Sequence, residues 1–292
     1  MSLIVVCSSS GSPGVTTSAL GLALTWPRPV LLVEADPTGG SALLAGYFRG
    51  QVTPAASLVD LAFAHRTGAL AEAIPALAMT VPGTEVSILP GTLAHGQARS
   101  LEALWAPLAA TLKALDAMGQ DVLVDAGRLG LTGSPEPVIE EADLCLLTVR
   151  TDLVSLAGAR SWAQTLRTRF DAQGAGDSLG LLTVGQGRPY SPREVATVLG
   201  VPVLASLAWD EAAAAVFARG APRPRRFETS PLLRSLRATG DAARARAGNV
   251  ANALAPDHEP TPTNPERTAV EHATIGRASH ERNGVTQRGA RA

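Results

Sequence analysis

The sequence predicts an α/β fold, a doubly wound and mainly parallel sheet with helices on both faces, and three observations carry that expectation. Seven short runs are apolar throughout, the pattern of strands buried on both faces. Helical stretches separate them in regular alternation. No linker interrupts the alternation before about residue 220. Of the 292 residues, 46% are hydrophobic and 17% charged. That composition supports a sizeable core and excludes fibrous, collagen-like and fully disordered chains.

Taken in order, Leu3, Ile4, Val5, Val6 and Cys7 make a first buried strand, ended by serines and glycines. Residues 14–25 have helical spacing in Leu20, Leu22 and Leu24 after a Thr- and Ser-rich start. Val30 to Val33 form the second strand, which runs into Glu34-Ala35-Asp36-Pro37-Thr38-Gly39-Gly40. Further strands are expected at 86–89, 122–124, 144–149, 179–184 and 203–207, with helices near 58–64, 97–118, 153–170, 191–199 and 210–219. A loop and a final helix follow, and between Arg219 and Arg246 they hold eight arginines against Glu228 and Asp241. The expected domain is 1–248. In 249–292 bulky apolar residues give way to Pro256, Pro260, Pro262 and Pro265 among polar residues, and this tail is expected to be disordered.

Residues 2–27 carry no charge, but the serine- and glycine-rich stretch from Ser8 to Gly14 divides them into runs too short for a bilayer. No Lys or Arg precedes Arg28, so a secretory leader is not expected either. Cys7 and Cys145 lie in apolar strands and read as buried, reduced thiols. The expected compartment is the cytoplasm. Net charge is −1, so any nucleic-acid binding must come from a local patch, of which the arginines from 219 to 246 are the candidate.

In a doubly wound sheet, ligands bind beyond the carboxyl ends of the strands. There the loop Ser10-Gly11-Ser12-Pro13-Gly14-Val15-Thr16-Thr17 offers small side chains, successive backbone N–H groups and a helix N-terminus, which together form an anion cradle. The general phosphate-loop pattern G-x-x-x-x-G-K-[ST] is not matched, because Val15 stands at the lysine position.

This loop resembles that of the ParA/MinD family of deviant phosphate-loop ATPases, K-G-G-x-G-K-T-T. Ser10 stands at the family's signature lysine, Gly11 and Gly14 keep two glycines, Val15 replaces the phosphate lysine and Thr16 keeps the magnesium-ligating hydroxyl. Val30 to Gly39 is similar to the family's VLLIDxDPQG, and Asp121-Val122-Leu123-Val124-Asp125 resembles its Walker B strand. Gly200 to Leu204 and Asp210 to Pro222 are similar to its closing segment. The resemblance covers residues 1–240 and implies a P-loop NTPase-like fold. Its ligands would be ATP and Mg2+, with Gly11, Ser12, Pro13, Gly14, Val15, Thr16 and Thr17 about the phosphates. Thr16, Asp36 and Asp125 would serve the metal, and Asp36 would orient the attacking water. The family's adenine-reading Asn has no counterpart, and Gln186 is the amide in that region.

Losing a charged hydrogen bond to phosphate costs about 1.5–3 kcal/mol, so nucleotide binding is expected to be weakened on the order of 10- to 100-fold. Without either lysine, hydrolysis is expected to be very slow or absent. Arg128 and the arginines from 219 to 226 are the candidates for replacement charge. The leading expectation is a nucleotide-binding protein with a degenerate catalytic site, a positioning, partitioning or assembly-scaffold factor acting as a homodimer or with a ParA/MinD-type partner. The alternatives are an active ATP-hydrolysing dimeric switch and a nucleotide-free interaction module. Membrane attachment is not expected, since Leu232, Leu233 and Leu236 are followed only by alanines among the apolar residues of that helix.

Overall fold

The protein is described by a computed structural model in which residues 3–115 and 119–254 are placed. The chain runs β1 (Leu3–Ser8), α1 (Val15–Thr25), β2 (Val30–Glu34), α2 (Leu58–Arg66), α3 (Leu70–Leu77), β3 (Met79–Thr80) and β4 (Val86–Leu89). It continues through α4 (Trp105–Ala114), β5 (Asp121–Arg128), α5 (Glu136–Glu140), β6 (Leu144–Arg150), α6 (Leu153–Ala172) and β7 (Leu179–Val184). The last elements are α7 (Pro192–Leu199), β8 (Val203–Leu207), α8 (Glu211–Arg219) and α9 (Pro231–Leu254). The sheet order is β3-β4-β2-β5-β1-β6-β7-β8. Every pairing is parallel except β3 with β4. The expected doubly wound sheet is therefore present, with a two-residue antiparallel strand added at one edge.

Strand side chains alternate between faces, and that period sorts the core into two layers. Leu3, Val5, Cys7, Leu31, Val33, Cys145 and Leu147 point into one layer, where they pack with α2 through α7. Ile4, Val6, Val30, Leu32, Leu144 and Leu146 point into the other, against α1, α8 and α9. The same alternation sends Glu34, at the end of β2, and Asp125, within β5, toward the α1 face. They are register partners. Cys7 and Cys145 are fully buried free thiols with their Sγ atoms 3.9 Å apart.

Three stretches differ from the sequence expectation. The helix expected over 97–118 is a 3-10 turn at His95–Leu101 and then α4; Pro107 lacks the N–H that one continuous helix would need. Its expected end, 116–118, lies outside the described residues. Helix α3 was not among the expected elements; it accommodates Pro75 while Leu70 and Ile74 bury its inner face. Helix α9 runs past residue 248 because Ala243, Ala247 and Val250 continue its buried stripe; the tail from 255 lies outside the described residues. Among the described residues no helix is long and apolar enough to cross a membrane.

Helix α9 holds α1 in place. A Cβ on Gly21 would come within 2.8 Å of the Leu236 methyl carbon, so the glycine lets the two helices close on each other. Leu236 is 1% exposed. Replacing it with Ala should destabilise the protein by about 2–5 kcal/mol, read from urea unfolding curves of unchanged slope.

Candidate functional site

Strand β1 is buried along its whole length, and its continuation turns through three left-handed residues, Gly11 (φ 71°), Ser12 (φ 44°) and Gly14 (φ 95°). A Cβ on Gly11 or Gly14 would meet only ordinary contacts, at 3.6 and 3.9 Å. Backbone conformation, not crowding, therefore calls for glycine there. Ser12 adopts the same region at an energetic cost of the kind found at functional loops. Helix α1 follows with Gly14 as its N-cap and no side-chain cap. Its first-turn amides and the positive end of its dipole thus face the loop.

Pro13 and Val15 are buried, and Val15 fills the core layer under α1. The side chain at the lysine position is thus a packing residue that leaves the loop uncovered. Ser10, at the signature-lysine position, lies against Gly158 of α6, where an added Cβ would collide with its Oγ.

Three carboxylates converge beneath α1. Glu34 is 3% exposed and accepts from the backbone N–H of Leu43 at 3.2 Å and of Gly91 at 3.1 Å, so it ties two loops to β2. Asp36 accepts from Thr38 N at 2.8 Å, and its carboxyl group sits where a side chain on Gly127 would be. Asp125 is 1% exposed; its Oδ1 accepts from Gly127 N at 3.0 Å, while Oδ2 is buried without a well-formed hydrogen bond. Burial above all, with Glu34 and Asp36 adding repulsion, pushes the Asp125 carboxyl up to about 7, against the opposing pull of the Thr16 hydroxyl and the Gly127 amide.

A cavity of about 30 Å³ lies beside this cluster, bounded by Thr16, Glu34, Asp36, Thr38, Ser41 and Thr92. The Thr92 hydroxyl is buried and also lacks a partner. Hard oxygen donors, two of them unsatisfied, suit Mg2+, which is usually held by one or two carboxylates with waters and phosphates completing the shell. Among the described residues no three His, Cys, Asp or Glu side chains form a ready-made metal cage. Thr16, Asp36 and Asp125 are thus brought together, and they fit the ion that the sequence led us to expect.

A larger cavity, about 280 Å³, opens on the other side of the loop. Ser12, Pro13, Gly14, Thr17 and Ser18 form one wall, and Arg150, Val184, Trp209 and Asp210 line it from the ends of β6, β7 and β8. Gln186 is exposed on the loop after β7 and is not part of that lining. The loop is directed elsewhere because Thr151 Oγ1 donates to the carbonyls of Gly185 at 2.6 Å and Arg188 at 3.2 Å.

The candidate replacement charges are also redistributed. Arg128 is exposed at the end of β5. Arg223 borders a different cavity with Leu24, Thr25 and Trp26 at the C-terminal end of α1, about 15 Å from the loop along that helix. Arg150 is the cation that the sequence reading missed. Its signal was the first charge after the apolar run of β6, on a strand that pairs directly with β1.

No family model matches the chain. Over 219 residues it is 31% identical to the uncharacterized proteins Rv3660c and MT3760 of two Mycobacterium tuberculosis strains, a match covering 70% of this chain. The chain spans about half, 54%, of the length of these curated relatives. Among solved structures it resembles the cell division ATPase MinD of Pyrococcus furiosus, with a TM-score of 0.62, 21% identity and coverage of 83% of this chain and 98% of that one. MinD of Pyrococcus horikoshii, solved with Mg-ADP, gives 0.62 at 22% identity over 85% of this chain and 98% of that one. A ParA family ATPase of Chlorobium tepidum gives 0.61 at 14% identity, covering 81% and 96%. The fold is that of the MinD and ParA ATPases. Within that fold, β1 and α1 flank the Ser10–Gly14 loop, and β2 and β5 carry Glu34 and Asp125.

The raised Asp125 makes the apo protein's stability depend on pH. An acid whose folded pKa exceeds its unfolded value of 3.8 holds its proton more tightly when folded. That contribution is complete below the unfolded value and is lost as pH rises through about 7. In magnesium-free buffer, Asp125→Asn should therefore gain stability relative to wild type as pH climbs from about 4 to about 7 and hold the advantage above it, as measured by urea unfolding at each pH.

Proposed function

We propose that the protein binds a nucleoside triphosphate with Mg2+ on the Gly11–Thr17 loop and hydrolyses it very slowly or not at all. It would then act as a nucleotide-dependent positioning or assembly-scaffold factor, as a homodimer or with a partner of the ParA/MinD type. The observation that carries this reading is the preformed loop. Its three left-handed residues present an uncapped helix N-terminus beside a buried, unsatisfied carboxylate oxygen on Asp125. Such a site offers amides to phosphate oxygens and oxygens to a divalent cation.

Mg2+, if held by Thr16, Asp36 and Asp125, would supply positive charge to offset that of the phosphates. The chain's own part is to hold Thr16 and Asp125 toward that ion and to fix Asp36, through Thr38 N, where an attacking water would lie. Weak hydrolysis follows from the absence of both lysines, since phosphoryl transfer depends on electrostatic stabilisation. The intact arrangement of Thr16, Asp36 and Asp125 favours a second reading, an active switch.

A DNA contact through the arginines from 219 to 246 is part of this proposal in reduced form. Arg223 and Arg237 pair with Glu228, Arg244 with Asp241 and Arg246 with Asp177. The exposed Arg219, Arg225, Arg226 and Arg234 are left to meet phosphates.

Thermal unfolding with Mg-ATP at about 100 times its dissociation constant should show a stabilisation of about 2.7 kcal/mol, and none is expected with Mg2+ alone at that concentration. Absence of a shift at millimolar Mg-ATP would rule the nucleotide reading out. Steady-state phosphate release then separates the two readings. Release that Asp36→Ala abolishes establishes the switch, and release at the same trace level in both proteins establishes the degenerate site.

A further inference from the structure

We propose that Arg150 supplies to the nucleotide's phosphates the positive charge that residue 15 lacks. The inference rests on the nucleotide reading and names the residue on which its affinity depends. Arg150 is the last residue of β6. Thr148 of that strand is the register partner of Ser8, so two further residues, about 6.6 Å, carry Arg150 alongside the loop that leaves β1. Its Nη2 donates to the carbonyl of Ser12 at 3.2 Å. Its Nε is buried with no hydrogen-bond partner. An arginine side chain presents five N–H donors; here one is spent on the loop backbone and another is buried and unmet.

The surroundings hold the guanidinium in place without neutralising it. Its Cζ lies 5.4 Å from the centre of the Trp209 ring, within cation–π range. Trp209 is itself fixed by donating from Nε1 to Glu211 at 3.1 Å. The nearby carboxylates are otherwise engaged. Asp152 accepts from the Ser155 amide and hydroxyl as the cap of α6, and Asp210 accepts from Ala213 N as the cap of α8. The Ser155 amide above all holds the Asp152 carboxyl below its ordinary value, and the Arg150 charge adds to that pull. Among the described residues, however, Arg150 makes no ion pair within 4.0 Å. It borders the 280 Å³ cavity together with Gly14, Thr17 and Ser18, so an anion on the α1 amides would lie between the helix N-terminus and this guanidinium. Arg128 flanks β1 from the opposite neighbour and does not line that cavity.

Isothermal titration of ATP, ADP and AMP, each with Mg2+, into wild type, Arg150→Gln, Arg150→Lys and Arg128→Gln tests this. Arg150→Gln should weaken ATP and ADP binding on the order of 10- to 100-fold, with a smaller loss for AMP, so that the ATP-to-AMP affinity ratio falls. Arg150→Lys should recover part of the loss, and Arg128→Gln should stay within about threefold of wild type. An unchanged ATP-to-AMP ratio in Arg150→Gln, or a loss carried by Arg128→Gln instead, overturns the proposal. No saturable binding by wild type overturns the nucleotide reading itself. Circular dichroism and melting of each variant establish that it is folded, and Arg150→Lys carries the test if Arg150→Gln is not.

Discussion

The site depends on a backbone constraint at the end of β1. The strand is buried on both faces, so its chain must leave the sheet in a short turn and enter α1 at once. It does so through positive φ values at residues 11, 12 and 14. That path points consecutive amides at the same volume and leaves the helix N-terminus without a side-chain cap. On the proposed reading, anion recognition would be built from main chain, whose path does not depend on the side chains of Ser10 and Val15. Val15 adds to the core beneath the helix and so helps to hold the turn.

The second constraint is electrostatic. Strand alternation brings Glu34 and Asp125 to the same face of adjacent strands, and Asp36 closes over Gly127 beside them. Glu34 satisfies both its oxygens with amides, but Asp125 cannot, and it sits proton-hungry near neutral pH. A divalent cation is the simplest relief for such a group. Residue 15 carries no charge, and the guanidinium nearest this loop is that of Arg150, which reaches it from the neighbouring strand through the carbonyl of Ser12.

The sheet and the carboxylate side of the site were legible in the sequence because both follow from local pattern. Apolar runs without alternation mark doubly buried strands, and acidic residues immediately after such runs must lie at the sheet's carboxyl edge. Asp36 and Asp125 stand out in that way, whereas Thr16 is singled out only by the resemblance of its loop to the ParA/MinD pattern. The other half was not, because it depends on which strands become neighbours. Nothing local to residues 144–150 tells that β6 lies next to β1, so Arg150 read as a strand end. The placement of Gln186 was equally hidden, because Thr151 fixes its loop from a distant element. Helix α3, absent from the expected elements, tolerates Pro75 because Leu70 and Ile74 are buried.

Amide hydrogen exchange over residues 11–17, with and without saturating Mg-ATP, tests most directly whether the main chain itself holds the phosphates. Exchange at the α1 N-terminus, residues 14–17, should slow by an order of magnitude or more on addition of Mg-ATP, while the already protected strand amides of β1 stay unchanged. Identical exchange at those residues with and without Mg-ATP, in a protein that demonstrably binds it, would contradict the account.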